Sequence, residues 1–425
     1  MSIKQTMKTF KKINIILLTL VISSCANITT KENTKQKSVK TTTNPVEKKQ
    51  KKSITPKNPT ITKQKKINIA NYLTDKYSNK VTYKRSSFKD LKNWNSSNQL
   101  KSFNALKLSC NKILEEKKPE YKGWFKICNK VKKTNFKKAK QARLFFEKNF
   151  TPFQIIIKNK NKNTGLFTGY YEPTMKGSLV KTLQYDVPIY KTPSNLVKKA
   201  NGDDSFSYGI YNKDGKLVPY YSREQISDGN LFTNKDVLVW VKSKVDRTFL
   251  QIQGSGRIQT SSGDILLGYD SQNGHPYRPI GRYLLEHNYM TAKEMSMQSI
   301  KQWLDNHKDK IDEVLNYDPS FVFFRYIEYK NAVGAQDVEL TPGYSLAVDH
   351  IYYPYGVPLW LETDYYKEDH KNTVPLDRLM IAQDTGGAIR GIIRGDVFWG
   401  HGKQAEFNAG HMNNRGKLWI LLPNA

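Results

Sequence analysis

The chain is poor in the residues on which metal and thiol chemistry is usually built. It has three cysteines, Cys25, Cys110 and Cys128, and seven scattered histidines in 425 residues. No paired Cys-x-x-Cys and no His-Glu-x-x-His occurs, so neither a zinc site nor a zinc-dependent hydrolase is signalled. No apolar run is long enough to cross a bilayer as a helix. No internal repeat is present, which argues against a solenoid or a propeller. Acidic residues are scarce, 38 against 69 lysines and arginines, for a formal net charge of +31. What remains is a globular composition, 38% hydrophobic and 12% aromatic, with ample length for a core and for two or three domains.

The positive charge is unevenly spread. Residues 1–25 carry four lysines and no acid; residues 26–66 carry twelve lysines against Glu32 and Glu47, leaving +17 for the rest. Lys4, Lys8, Lys11 and Lys12 precede a short apolar stretch, Ile13 to Ile22, broken only by Asn14 and Thr19. A basic region followed by a short apolar one is an export signal. It ends in Ile22-Ser-Ser-Cys25, which resembles a bacterial lipobox; the resemblance implies cleavage after residue 24 and lipidation of Cys25. Several acyl chains on one residue would anchor the protein without a transmembrane helix. Residues 25–66 then read as a lipidated cysteine and a disordered tether. The segment is Lys, Thr, Asn, Gln and Pro with almost nothing to bury, and its charge suits an anionic surface. A lysine-rich arm elsewhere suggests nucleic acid, but an exported chain would not meet it. The lipobox resemblance implies a membrane-anchored, exported protein facing the periplasm. In that compartment Cys110 and Cys128 either pair or remain two buried thiols, since Cys110 falls on the apolar face of an expected helix.

From residue 67 to about 150 the pattern is helical. Ser96-Ser-Asn98 offers caps, and Leu100, Phe103, Leu106, Cys110 and Ile113 recur at helical spacing. Lys137 to Asn149 predicts a second helix. Runs rich in β-branched and aromatic residues follow: Phe153–Ile157, Leu166–Tyr171, Val237–Val241 and Thr248–Gln253, each expected to be a strand. Arg278–Tyr289 and Thr291–His307 predict consecutive helices, with Thr291-x-x-Glu294 as a capping box. Strands return at Phe321–Tyr326, Tyr344–Val348, Pro358–Leu361, Leu379–Ala382, Val397–Trp399 and Leu418–Leu422. Many short strands with glycine-marked turns favour a barrel.

Chemistry concentrates in Ile381-Ala-Gln-Asp384-Thr-Gly-Gly-Ala-Ile-Arg-Gly-Ile-Ile-Arg-Gly-Asp396-Val-Phe-Trp-Gly400. Two carboxylates flank glycine turns at the edges of buried strands. Desolvation there raises a carboxyl pKa, as a general acid working near neutral pH requires. Taken alone, Asp384 reads equally as a turn cap and Asp396 as a strand-end surface residue. Three further segments carry polar groups after apolar strands. In Thr168-Gly-Tyr170-Tyr171-Glu-Pro the adjacent tyrosines point to opposite faces of a strand. One is expected to pack inward and the other to form a stacking platform for a sugar. Gln251-Ile-Gln253-Gly-Ser255-Gly-Arg257 and Asp270-Ser-Gln-Asn273-Gly-His-Pro-Tyr277-Arg278 supply amides, hydroxyls and turn signals suited to hydroxyl or N-acetyl groups.

In order, Gly169-Tyr-Tyr-x-Pro173, Gln253-Gly-Ser-Gly256, Asn273-Gly-His-x-Tyr-Arg278, Leu340-Thr-Pro-Gly-Tyr-Ser-Leu-Ala-Val-Asp349 and Asp384-x-Gly-Gly-Ala-Ile-Arg-Gly…Asp396 resemble the membrane-bound lytic murein transglycosylase A family. The resemblance runs from about residue 90 to residue 422. It implies a mainly β fold with helices: a double-psi β-barrel catalytic domain from residues 67–172 and 332–425, and a second β-rich domain inserted at 173–331. A substrate groove would lie between them. It also implies non-hydrolytic cleavage of the β-1,4 bond between N-acetylmuramic acid and N-acetylglucosamine, leaving 1,6-anhydro ends, with no metal and no organic cofactor. Asp396 would be the single acid and then base, and Asp384 its support. Thr168, Tyr170, Tyr171, Gln253, Ser255, Asn273 and Tyr277 would bind substrate. Partners would be peptidoglycan glycan strands, the outer-membrane lipid anchor and cell-wall synthases. The spacing of the two aspartates varies among relatives, so the register of Arg394-Gly395 is left open.

Two rivals stand beside this. The lone Asp384-Thr-Gly resembles an aspartic protease, which needs two such aspartates facing each other. A non-catalytic peptidoglycan-binding lipoprotein would use the same barrel, groove and tether.

Overall fold

In the computed structural model the described residues are 67–73, 79–201, 206–366 and 372–424. The lipobox, Cys25 and the tether lie outside them.

Seventeen strands and nine α-helices are laid out among the described residues. Chain order begins β1 (Val81–Arg85), α1 (Gln99–Glu116), α2 (Phe125–Lys132), α3 (Ala139–Asn149), β2 (Phe150–Ile157) and β3 (Gly165–Glu172). Next come β4 (Thr174–Ser178), β5 (Val187–Tyr190), β6 (Val197–Ala200), β7 (Phe206–Tyr211), β8 (Leu217–Pro219), α4 (Arg223–Ser227), β9 (Val237–Val241) and α5 (Lys244–Gln253). They are followed by β10 (Ser255–Thr260), β11 (Gly263–Gln272), α6 (Ile280–Glu286), α7 (Met297–Asn306), α8 (Ile311–Asn316) and β12 (Val322–Tyr326). The chain closes with β13 (Ser345–Val348), β14 (Pro358–Tyr366), β15 (Thr373–Asp384), β16 (Arg394–His401), α9 (Lys403–His411) and β17 (Asn413–Pro423).

One sheet has the order β1-β2-β17-β14-β15-β13-β16-β3, and β17 also pairs with β3. That extra pairing closes β17, β14, β15, β13, β16 and β3 into a six-stranded barrel, with β1 and β2 as an appended hairpin. Closure removes the exposed edges that an open sheet would leave. Two pairs, β13 with β15 and β16 with β3, run parallel, while the rest of the ring is antiparallel. This is the mixed double-psi arrangement. The barrel closes where side chains are absent: a Cβ at Gly165 would lie 1.6 Å from the Ile393 carbonyl oxygen.

Helices α1 to α3 cover the barrel. Asn98 caps α1 by accepting from the Leu100 amide, and Phe103, Leu106 and Cys110 face a core shared with Trp360, Ile381 and Ile420. A disulfide joins Cys110 to Cys128, tying α1 to α2, which resolves the open alternative in favour of the pair. Residues 174–326 supply a second sheet, β12-β11-β10-β4-β9-β5, and a small three-stranded one, β6-β7-β8. Helices α5 to α8 pack beside them around Phe249, Ile280, Leu284 and Leu304.

Two local expectations are corrected. Thr248–Gln253 is the second half of α5, not a strand. Ser243 caps that helix by accepting from the Asp246 amide, and Gly254 ends it in the left-handed region at φ 77°; these two signals bracket ten residues and override the β propensity of Thr248–Gln253. Thr291 and Glu294 do bond as expected, at 3.0 and 2.7 Å, but they close a turn. The helix behind them begins at Met297, capped by Ser296.

Candidate active site

The two aspartates end up side by side because of register. Ala347 of β13 pairs with Asp384 of β15 on one side and with Asp396 of β16 on the other. Asp396 in turn pairs with Thr168 of β3, and Thr168 with Asn413 of β17. Paired positions present their side chains on one face. One row, Asp384–Ala347–Asp396–Thr168–Asn413, therefore crosses five strands of the barrel, with the smallest side chain between the two acids.

The two carboxylates are held differently. Asp384 is filled on both oxygens: Oδ1 accepts from the amides of Ala335 and Thr385, both at 2.9 Å, and Oδ2 accepts from the Tyr170 hydroxyl at 2.7 Å. Burial pushes its pKa up to about 6, against the pull of those three hydrogen bonds, and the nearby Asp396 charge adds to the rise. Asp396 accepts one hydrogen bond among the described residues, from Thr168 Oγ1 to Oδ1 at 2.5 Å. Its pKa is raised too, by burial, while Arg394 and the Thr168 hydroxyl oppose the rise. Arg394 Nη2 donates to the same Thr168 oxygen at 2.9 Å, and its Nη1 donates to the Gly395 carbonyl. Asp396 thus keeps one oxygen, Oδ2, for something other than the protein.

The supporting shell explains why the strand ends sit where they do. Gln383, fully buried beside Asp384, donates to the Ala105 carbonyl at 3.0 Å and to Ser109 Oγ at 2.9 Å, and accepts from Ser345 Oγ at 2.6 Å. The Gln336 amide donates to the Gln383 carbonyl at 3.1 Å, which brings the neighbouring Ala335 amide onto Asp384. Tyr170 packs its ring on Phe398, with centroids 5.2 Å apart.

The expected substrate-binding residues divide into three groups. Thr168 and Tyr170 meet the two carboxylates. Gln253 and Tyr277 line a different space, a cavity of about 480 Å³ whose walls include Phe249, Met297, Ile300, Gly169 and Gly410. Because Gly169 alternates with Thr168 and Tyr170, this cavity lies across β3 from the acids. Tyr171, Ser255 and Asn273 form neither site. Tyr171 is 3% exposed; its hydroxyl donates to Glu406 and its amide to Gln253 Oε1. Since Tyr170 is only 9% exposed, neither ring is the open stacking platform expected of the pair. Ser255 is buried at the start of β10, paired with Gly268. Asn273 is a bracket: its Nδ2 donates to the carbonyls of Tyr221 and Pro319, and its Oδ1 accepts from the Phe321 amide. All of its main hydrogen-bonding capacity is spent inside the protein. Arg394 is the site residue that sequence reasoning missed; only the register left open around it pointed there.

A family model described as the MltA specific insert domain matches residues 166–325, and one described as the 3D domain matches residues 344–422. Membrane-bound lytic murein transglycosylase A of Escherichia coli strain K12 is 33% identical over 259 residues, a match spanning 60% of this chain and 65% of that protein's length. The crystal structure of a membrane-bound lytic murein transglycosylase from Agrobacterium tumefaciens superposes with a TM-score of 0.72 at 32% identity, covering 80% of this chain and 98% of that one. The Escherichia coli MltA structure with bound chitohexaose superposes with a TM-score of 0.60 at 25% identity, covering 84% and 99%. The chain belongs to the membrane-bound lytic murein transglycosylase A family.

Proposed function

We propose that the protein is a peptidoglycan lytic transglycosylase that cleaves the β-1,4 bond from N-acetylmuramic acid to N-acetylglucosamine and leaves a 1,6-anhydro end. The observation that carries this reading is the inequality of the two carboxylates. An ordinary glycosidase needs two working carboxyl groups, one as acid and one as base or nucleophile. Here Asp384 is saturated by three donors, and only Asp396 has an oxygen to spare. A single carboxyl suffices when the nucleophile belongs to the substrate.

The steps balance on that one group. Protonated Asp396 gives its proton to the glycosidic oxygen, and the bond from C1 to that oxygen breaks. The ionised carboxylate then takes the proton of the muramic acid C6 hydroxyl as O6 bonds to C1, which restores the acid. No water is consumed. Holding the hydroxyl close to C1 makes the attack effectively unimolecular, worth roughly 7 kcal/mol at the low end of such effects. Asp384, ionised above about pH 6, adds negative charge near the cationic sugar. The name of the Escherichia coli relative's complex, with chitohexaose, supports a β-1,4-linked amino-sugar polymer as ligand. The lipobox-like Cys25 and the membrane-bound relatives support a lipid anchor in the outer membrane, facing the periplasm, with wall synthases as partners.

The test is mass analysis of material released from purified sacculi. Products ending in 1,6-anhydro-muramic acid, absent with Asp396→Asn, are expected. Reducing ends would make the protein a hydrolase. Binding without release would make it a wall-tethering lipoprotein.

A further inference from the structure

The hydrogen-bond chain behind the acid has a direction that its chemistry imposes. Thr168 Oγ1 has one proton to give and lone pairs to receive. Arg394 has only donors, so its contact with Thr168 at 2.9 Å uses a lone pair of the hydroxyl oxygen. The hydroxyl proton is driven away from the guanidinium, toward the Asp396 oxygen 2.5 Å away. The guanidinium is itself fixed, because its other terminal nitrogen is bonded to the Gly395 carbonyl on the same strand.

We infer that Arg394 is a positioning residue: by occupying the Thr168 hydroxyl it commits that hydroxyl's proton to Asp396 Oδ1 and leaves Oδ2 to carry and release the reacting proton. The inference rests on the function proposed above and assigns how its one acid is aimed. Without Arg394, Thr168 is free to turn, and a protonated Asp396 can place its proton on Oδ1, donated to Thr168 and lost to the substrate. The reversal matters twice in each cycle, since Oδ2 must first give a proton and then receive one.

Among the described residues, Arg394 is also the one cation that acts on Asp396. Tyr170 of β3 and Asp384 of β15 are the other titratable neighbours, and both feel the Asp396 charge. Thr168 is neutral, β13 contributes Ala347 and β17 contributes Asn413. Removing Arg394 therefore removes the positive charge that favours ionised Asp396.

The experiment follows the Asp396 carboxyl directly, by carbon NMR titration of protein labelled at aspartate, with the resonance assigned by its loss in Asp396→Asn. This measurement needs no turnover. In Arg394→Gln the carboxyl should titrate higher by about one pH unit, the low end for losing a close opposite charge. In Arg394→Lys it should stay near the wild-type position. With sacculi as substrate, Arg394→Gln should lower kcat about 10–100-fold, the scale of a misaimed proton transfer, with KM little changed and the alkaline limb of the pH profile moved upward. Arg394→Lys should recover only part of kcat. In a Thr168→Val background, Arg394→Gln should add little further loss in kcat, because the two residues act as one unit. An unmoved Asp396 titration in Arg394→Gln, or a kcat loss that simply adds to that of Thr168→Val, overturns the inference. If Arg394→Gln does not fold, Arg394→Lys decides: full kcat in that variant also overturns it. Should the wild type release nothing from sacculi, the functional reading falls, while the titration still judges the placement of Arg394.

Discussion

At the scale of single residues, the site separates two acids that look alike in the sequence. Asp396→Asn keeps the shape and one acceptor oxygen for Thr168, so it should leave the melting temperature within a few degrees while reducing turnover about 10²–10⁴-fold, the usual range for loss of a general acid. A variant that turns over near normally removes Asp396 from the mechanism. Asp384→Asn is gentler. Its carbonyl oxygen can still accept from Ala335 and Thr385, and its amide can donate to Tyr170, whose hydroxyl then accepts. Activity should fall about tenfold through lost charge. The pH profile is the sharper readout. Activity should fall as rising pH ionises Asp396, whose pKa burial raises; because the nearby Asp384, pushed up to about 6, feels the Asp396 charge, the limb belongs to the pair. Asp384→Asn should leave the titration of a single carboxyl in its place. The sign for stability is opposite to that of a salt-bridged acid. A folded-state pKa raised from 3.8 to about 6 means that the fold binds more protons than the unfolded chain between those values. Stability from this group is therefore present at low pH and lost as pH rises toward 6.

At the scale of elements, the strands were legible and their consequences only partly so. Leu166–Tyr171, Val397–Trp399 and Leu418–Leu422 are runs whose β-branched and aromatic residues suit a buried ladder, and all lie within strands of the structure. The register that puts Asp384, Ala347, Asp396 and Thr168 in one row depends on pairings between residues 37, 49 and 228 positions apart, which no local pattern carries. For the same reason Asn273 looked like a ligand and is a bracket: a turn asparagine reveals its acceptor capacity in sequence, but not the carbonyls it will meet. Strand β3 shows what element-level packing demands. A Cβ at Gly169 would come within 2.6 Å of the Trp399 ring and 2.9 Å of the Ala409 Cα, so α9 lies directly on the strand. Gly169→Ala should force α9 outward, lower stability by about 1–3 kcal/mol as overpacking does, and reduce kcat by shifting Thr168. A variant with unchanged melting and unchanged kcat would show that α9 moves freely on β3.

At the scale of the whole molecule, the helical cover is held by two kinds of link, one within it and one to the barrel, and they should fail separately. The first is covalent: Cys110–Cys128 closes a loop of 18 residues within the cover. A bridge over such a loop is worth roughly 3 kcal/mol in the chain-entropy account. The second is polar. Ser102 donates to the Leu379 carbonyl at 2.7 Å, and Ser109 and the Ala105 carbonyl engage Gln383 beside Asp384. These bonds hold α1 against β15 whether or not α1 is tied to α2. The double variant Cys110→Ser, Cys128→Ser should therefore melt several degrees lower yet keep its kcat at 25 °C, because the carboxylate row is positioned by the polar contacts. Gln383→Ala should do the reverse in proportion. It strands the Ser345 hydroxyl and cuts the side-chain bonds from α1 to the residue beside Asp384, so its loss in kcat should exceed what its melting temperature alone would suggest. Thermal melts and turnover on sacculi, measured for both variants, decide the matter. If the disulfide variant loses kcat in step with stability, the cover and the site are one cooperative unit, and the polar contacts do not suffice to hold the row.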